Sequence, residues 1–228
     1  MHAIASLWGI ATKYLLYNTG KTIGSIDTKT ENQQILFRNV GTRMEPMYDK
    51  PELVEVDDVD DPFGYRQHII VVDWNEDGLN DVLTLDKDRQ YTYYERYQAQ
   101  DGLLHLRFGY NLRYEDGAVI TQVSIHPWDN YLCACDWDGD GDWDLLVGIG
   151  QRMGIVFLEN VGDLKQPVFR RPRRILANGK PIAYSTHCMR PFAVDWDNTG
   201  KLDILSGSES GWLHLFRRAI LSIEQEEC

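Results

Sequence analysis

Apolar residues along this chain fall in short runs, without a helical period. Runs at 68–72, 131–135 and 191–194 each lead into an aspartate, and runs at 82–85, 145–147 and 204–205 each follow one. Apolar runs this short, bounded by Asp or Gly, predict buried β-strands. Each pair brackets a polar segment of nine residues, so the predicted unit is strand, acidic loop, strand.

Tyr94, Phe157 and Phe216 each stand 21 residues after the first aspartate of a loop and mark a third strand, over 91–97, 155–159 and 212–217. A fourth, outermost strand is expected near 104–112 and 168–176, where proline suits a sheet edge. The first aspartates, Asp73, Asp136 and Asp195, are 63 and 59 residues apart. A second signature agrees: Asn39-Val40-Gly41 and Asn160-Val161-Gly162 are each followed by Pro-x-aromatic-x-x-Pro, 121 residues apart, or two periods. A period near 60 marks stacked supersecondary units. Four antiparallel strands per repeat predicts an all-β chain of β-propeller blades.

The repeats divide residues 1–228 into an incomplete first blade (1–60), two blades (61–125 and 126–185) and a last, incomplete blade (186–228). Within 1–32, residues 3–16 fit either a short helix or a strand pair, and 20–30 is turn-rich. About 3.5 to 4 blades lies at the bottom of the range for closed rings. Three ways of completing the ring are therefore expected: a missing chain segment, a second copy in a homodimer, or capping by the N-terminal segment.

The loops carry the chemistry. Asp136-Trp137-Asp138-Gly139-Asp140-Gly141-Asp142-Trp143-Asp144 sets five carboxylates on alternate positions. Two unit charges about 5 Å apart repel by roughly 0.8 kcal/mol even in water, so the loop calls for a cation. Oxygen donors on alternate positions, with Gly at the sharp turn, suit Ca2+. Candidate ligands at positions 1, 3, 5, 7 and 9 are Asp73, Asn75, Asp77, Leu79 and Asp81; Asp136, Asp138, Asp140, Asp142 and Asp144; and Asp195, Asp197, Thr199, Lys201 and Asp203. With Thr at 5 and Lys at 7, the third loop is expected to be the weakest, or empty. An EF-hand would need helical flanks and a bidentate Glu at position 12, where Thr84, Val147 and Ser206 stand.

The run Asp136 to Gly148, Asp-Trp-Asp-x-Asp-Gly-x-x-Asp-Leu-Leu-x-Gly, resembles the FG-GAP/VCBS-type repeat. That resemblance implies propeller blades with calcium held between a blade's first two strands. It also implies the functions such repeats serve, in secreted polysaccharide lyases and in integrin-type adhesion heads. Trp74, Trp137 and Trp196 recur at loop position 2 and are expected to pack between blades.

Composition narrows the classes. No run of about 18 apolar residues is present, so no membrane-spanning helix is expected. The formal charge is −12, and the three loops hold 12 carboxylates, so the acidity is concentrated in the candidate sites. Without a basic stripe, nucleic acid is not an expected partner. The four cysteines show no zinc or disulfide spacing; Cys133 and Cys135 read as core thiols, since neighbouring repeats have Ile70 and Val72, or Phe192 and Val194, in their places. Calcium sites of modest affinity fill at millimolar calcium, which points to a secreted or periplasmic protein. The N-terminus lacks the basic start of a signal peptide, so the chain is expected to begin after a removed leader or inside a longer protein.

Segments entering each innermost strand supply one His per repeat, with Tyr and Arg nearby. An acidic polysaccharide would suit them, since Arg clamps a carboxylate and His or Tyr moves a proton. Read by role for a uronate lyase, His126 or His187 is the base, Tyr184 or Tyr131 the acid, and Arg66 or Arg190 the clamp. The alternatives are a calcium-stabilised module that binds polysaccharide without turnover and a protein-binding adhesion propeller. Lys165, Arg170, Arg171, Arg173 and Arg174 form one basic cluster, expected to be a solvated face.

Overall fold

The computed structural model describes residues 14–18, 34–42, 44–59, 62–64, 68–99, 104–123, 130–149, 154–184, 189–207 and 211–225. These residues form several β-sheets, and the one helical turn among them is a short 3-10 segment at Arg218–Ile220. The chain divides into two compact units, Met1–Asn111 and Leu112–Cys228.

The first unit holds β1 (Tyr14–Asn18), β2 (Gln34–Arg38), β3 (Glu52–Asp57), β4 (Ile70–Val72), β5 (Asp81–Leu85), β6 (Tyr91–Gln98) and β7 (Leu104–Asn111). Strands β4 to β7 make the expected antiparallel meander around the first acidic loop. Segment 1–60, expected as an incomplete blade, contributes β1 to β3, and these extend the same sheet through a parallel pairing of β3 with β7. Residues 1–13 and 19–33 lie outside the described residues. Leu36, Val54, Val56, Phe63, Ile69, Val82, Tyr94 and Leu106 pack as the core of this unit.

The second unit holds β8 (Arg113–Tyr114), β9 (Tyr131–Cys135), β10 (Asp144–Ile149), β11 (Gly154–Leu158), β12 (Val168–Phe169), β13 (Arg173–Ala177), β14 (Lys180–Pro181), β15 (Arg190–Val194), β16 (Asp203–Gly207), β17 (Leu213–Phe216) and β18 (Leu221–Ile223). Strands β9, β10, β11 and β13 form a four-stranded antiparallel meander around the second loop. The expected fourth strand is split: β12 bridges the end of the third strand at Asn160–Phe169 and pairs in parallel with β8, while β13 continues the sheet. Strands β15 to β17 form a three-stranded sheet around the third loop. Its chain then returns, and β18 pairs with β13 of the preceding sheet.

Every residue of β10 is buried, as is every residue of β11. A strand buried on both faces reads as a continuous apolar run, which is why no alternation shows in Leu145-Leu146-Val147. Cys133, Cys135, Trp137, Leu146, Ile155, Phe157, Ile175, Ile182, Met189 and Ile204 form a core shared by the sheet of β9, β10, β11 and β13 and the sheet of β15 to β17. Both cysteines are buried free thiols, as their strand positions predict.

Gly148 fixes how closely the sheets approach. A Cβ there would overlap the Met189 carbonyl and sit 2.7 Å from Pro191 Cδ, whereas at Gly207, the matching position of the third repeat, it would meet only Leu213 Cδ2 at 3.4 Å. Gly148→Ala is therefore expected to destabilise the protein by roughly 1–3 kcal/mol, because a backbone overlap cannot be relieved by a rotamer change. Gly207→Ala should stay within about 0.5 kcal/mol of the parent. Urea unfolding of the two variants checks this.

Candidate metal centre

All three acidic loops adopt one backbone form. Positions 4 and 6 are left-handed in each: Glu76 and Gly78 (φ 59° and 88°), Gly139 and Gly141 (86° and 96°), Asn198 and Gly200 (57° and 77°). Such a conformation costs an ordinary L-residue roughly 1–2 kcal/mol, which Gly avoids and Asn tolerates. The two inversions curl the chain so that the position-1 carboxylate meets backbone N–H groups. Asp73 accepts from Gly78 (3.0 Å), Asp136 from Gly139 (2.8 Å) and Gly141 (3.2 Å), and Asp195 from Thr199 and Gly200 (both 2.8 Å).

Positions 3 and 5 of the first two loops turn back on the main chain. Asn75 accepts from Asp77 N–H (3.1 Å) and Asp77 from Leu79 N–H (2.8 Å). Asp138 accepts from Asp140 N–H (3.3 Å) and Asp140 from Asp142 N–H (2.9 Å). These bonds hold the donors at the loop centre before any ion arrives.

Position 9 is different, because Asp81, Asp144 and Asp203 are buried. Asp81 accepts from Trp74 N–H (3.0 Å) and Arg96 N–H (2.8 Å), and Asp144 from Trp137 N–H (3.0 Å) and Asn160 N–H (2.8 Å). Asp203 accepts from Arg218 N–H (2.6 Å). Each carboxylate thus ties its loop to the far end of the third strand. Burial pushes Asp81 up to about 6 and Asp144 up to about 7, with repulsion from Asp77, and from Asp138 and Asp140, acting in the same direction. The backbone N–H bonds oppose these shifts without cancelling them. Asp138 and Asp142 are also raised, first by burial and then by Asp140.

The second loop fits a metal ion best. One oxygen from each of Asp136, Asp138 and Asp144 lies within 4.8 Å of the others, and this is the one such group among the described residues. An all-oxygen donor set suits a hard cation such as Ca2+. In the first loop, Asp73 Oδ1 is buried without a hydrogen-bond partner, a position an anionic oxygen holds at a cost unless a cation faces it. The third loop already faces one: Arg217 pairs with Asp197 Oδ2, and its Nε lies 3.5 Å from Asp203 Oδ2. Thr199 Oγ1 donates to Asp197 Oδ1 (3.1 Å), and Lys201 is exposed.

Trp74 and Trp137 are buried as expected. The indole of Trp74 donates to Tyr110 Oη (2.9 Å), and that of Trp137 lies under the Arg218 guanidinium at 4.1 Å. Trp196 departs from the expectation and is 55% exposed, since nothing among the described residues follows the last sheet to cover it.

Of the expected polysaccharide-contacting residues, His126, His187 and Arg66 lie outside the described residues. Tyr131 and Arg190 are brought together by β9 and β15, with the guanidinium 4.4 Å from the ring centroid and Nη2 donating to Tyr131 Oη at 3.4 Å. Tyr184 packs instead against His214, with ring centroids 4.0 Å apart and the rings tilted by 38°, and burial raises its phenol. His214 sits on β17, away from the segments that enter the innermost strands. The basic cluster is largely neutralised: Arg170 and Arg173 pair with Glu159, Arg171 with Asp116, and Arg174 lies 4.0 Å from Glu224.

Residues 136–206 match the family model of the FG-GAP-like repeat, so this stretch, from the head of the second loop through most of β16, is an FG-GAP-like repeat. No curated protein and no solved structure matches the chain.

The raised carboxylates set a pH dependence. Asp81 and Asp144 hold protons in the folded state up to about 6 and 7, against an ordinary value of 3.8. Stability from this protonation is complete below about 4 and is lost as pH rises through about 6 to 7. Without metal, the melting temperature is expected to fall between pH 5 and 8. Saturating Ca2+ favours the ionised form and should flatten or reverse that slope, as thermal melts across pH with and without chelator will show.

Proposed function

With residues 136–206 as an FG-GAP-like repeat, we propose that the chain is a calcium-stabilised module of propeller type, working outside the cytoplasm as a secreted or periplasmic protein and binding acidic polysaccharide. The observation that carries the calcium reading is the convergence of Asp136, Asp138 and Asp144 in a loop whose two left-handed positions recur in the first loop. Asp136, Asp138, Asp140, Asp142 and Asp144 would hold one ion, and Asp73, Asn75, Asp77 and Asp81 another. When bound, Ca2+ supplies positive charge that relieves the repulsion among these oxygens.

The chain's own residues do the rest. Asp81 and Asp144 lock each loop to its third strand, and the left-handed pairs shape the turn. On this reading the metal controls whether the meanders stay assembled, and the loop residues carry no chemical step. The antiparallel meanders and the fully buried β10 and β11 support stacked blades, with a second copy or a further segment completing the ring.

The Arg190–Tyr131 pair favours an acidic sugar as ligand, because it offers a guanidinium beside an aromatic face. A lyase that cleaves uronate chains and an adhesion propeller are the competing readings of the same surface.

At ten times the dissociation constant, each ion contributes about 1.4 kcal/mol, so two contribute roughly 3 kcal/mol. In a domain of this size that corresponds to about 6–12 °C. Chelator is expected to lower the melting temperature by about that much and excess Ca2+ to restore it; a melt indifferent to both overturns the calcium reading. Acidic polysaccharides are then screened with Ca2+ present. Binding without product supports the module. Rising ultraviolet absorbance, abolished by His126→Ala or His187→Ala, assigns a lyase instead, and the absence of polysaccharide binding overturns the glycan reading.

A further inference from the structure

The three loops invite comparison at one strand position. The residue whose backbone N–H reaches the buried position-9 aspartate is Arg96, Asn160 or Arg218. Its predecessor is Glu95 in the first repeat, Glu159 in the second and Arg217 in the third. Glu95 pairs with Arg107, and Glu159 with Arg170 and Arg173. In the third repeat the charge at this place is reversed, and the side chain bonds the position-3 aspartate directly: Arg217 Nη2 donates to Asp197 Oδ2. Its Nε is also 3.5 Å from Asp203 Oδ2, on an aspartate that is itself buried.

We propose that Arg217 takes the place of the metal ion in the third loop, so that the chain holds two calcium ions and closes its last repeat with a cation of its own. A guanidinium between the position-3 and position-9 carboxylates stands where an ion would have to touch both. It brings positive charge without needing calcium. Asp197 Oδ1 is also bonded by the Thr199 hydroxyl, at the position where the other two loops carry the carboxylates Asp77 and Asp140.

The substitution has a mechanical consequence. Arg217 directly precedes the 3-10 turn Arg218–Ile220 and β18, whose residues Leu221, Ser222 and Ile223 pair with Ala177, Leu176 and Ile175 on β13. The side chain that neutralises the third loop therefore also starts the segment that fastens the last sheet to the preceding one. That fastening stays closed when calcium is absent.

The metal count rests on the calcium reading, so the test separates the two. Calorimetric titration of the intact chain with CaCl2 should give two ions for the parent and three for Arg217→Glu, which restores the charge found at Glu159. A parent that binds three ions, or a variant that stays at two, overturns the proposal. A count of zero would instead reject the calcium reading. Thermal melts in chelator then test the pair directly, using Arg217→Gln, Asp197→Asn and the double variant. The double variant should melt no lower than the weaker single one, and strictly additive losses would overturn the clasp.

Discussion

A buried carboxylate at the start of each second strand is the constraint on which the rest of this structure hangs. Asp81, Asp144 and Asp203 leave water to accept backbone N–H groups from the end of the third strand, and the first two also from the second residue of their own loop. Removing a carboxylate from water costs free energy that hydrogen bonds only partly return, and the raised proton affinities of Asp81 and Asp144 measure that residue of discomfort. The remaining loop carboxylates add to it through repulsion. Positive charge at the loop centre therefore settles the loop, its strands and the Trp packed behind it together.

Both proposed sources of positive charge follow from the same physics. Where the flanking strand offers Glu95 or Glu159, those carboxylates pair with arginines of their own sheet, and the loop oxygens are left to suit an ion from solution. Where it offers Arg217, the charge is met from within. One backbone form, with left-handed residues at positions 4 and 6, thus accommodates either source.

Much of this was legible in the sequence for identifiable reasons. The loops announce themselves through alternate carboxylates and glycine, and the strands through short apolar runs, because both signals are local. That the third loop departs from the other two was visible in Thr199 and Lys201, but its contact with Arg217 was not, since Arg217 lies 20 residues beyond Asp197 and meets it only after two strands have paired. The parallel pairing of β3 with β7 was hidden for the same reason: it joins segments about 50 residues apart, with no turn between them to set the register. The parallel pairing of β12 with β8 also depends on a distant partner. Trp196 misled because repetition predicts a role in packing, while its burial requires a further layer that the last sheet lacks among the described residues.

On the proposed reading the acidic loops grip a hard cation beside a buried tryptophan. Terbium luminescence tests this most directly, because Trp137 adjoins Asp136 and Asp138 and Trp74 adjoins Asp73, close enough to pass excitation energy to a bound lanthanide. Excitation of tryptophan should give sensitised terbium emission that calcium displaces and that falls when Asp136 and Asp138 are changed to Asn. No sensitised emission, or emission indifferent to calcium and to those substitutions, would contradict the account.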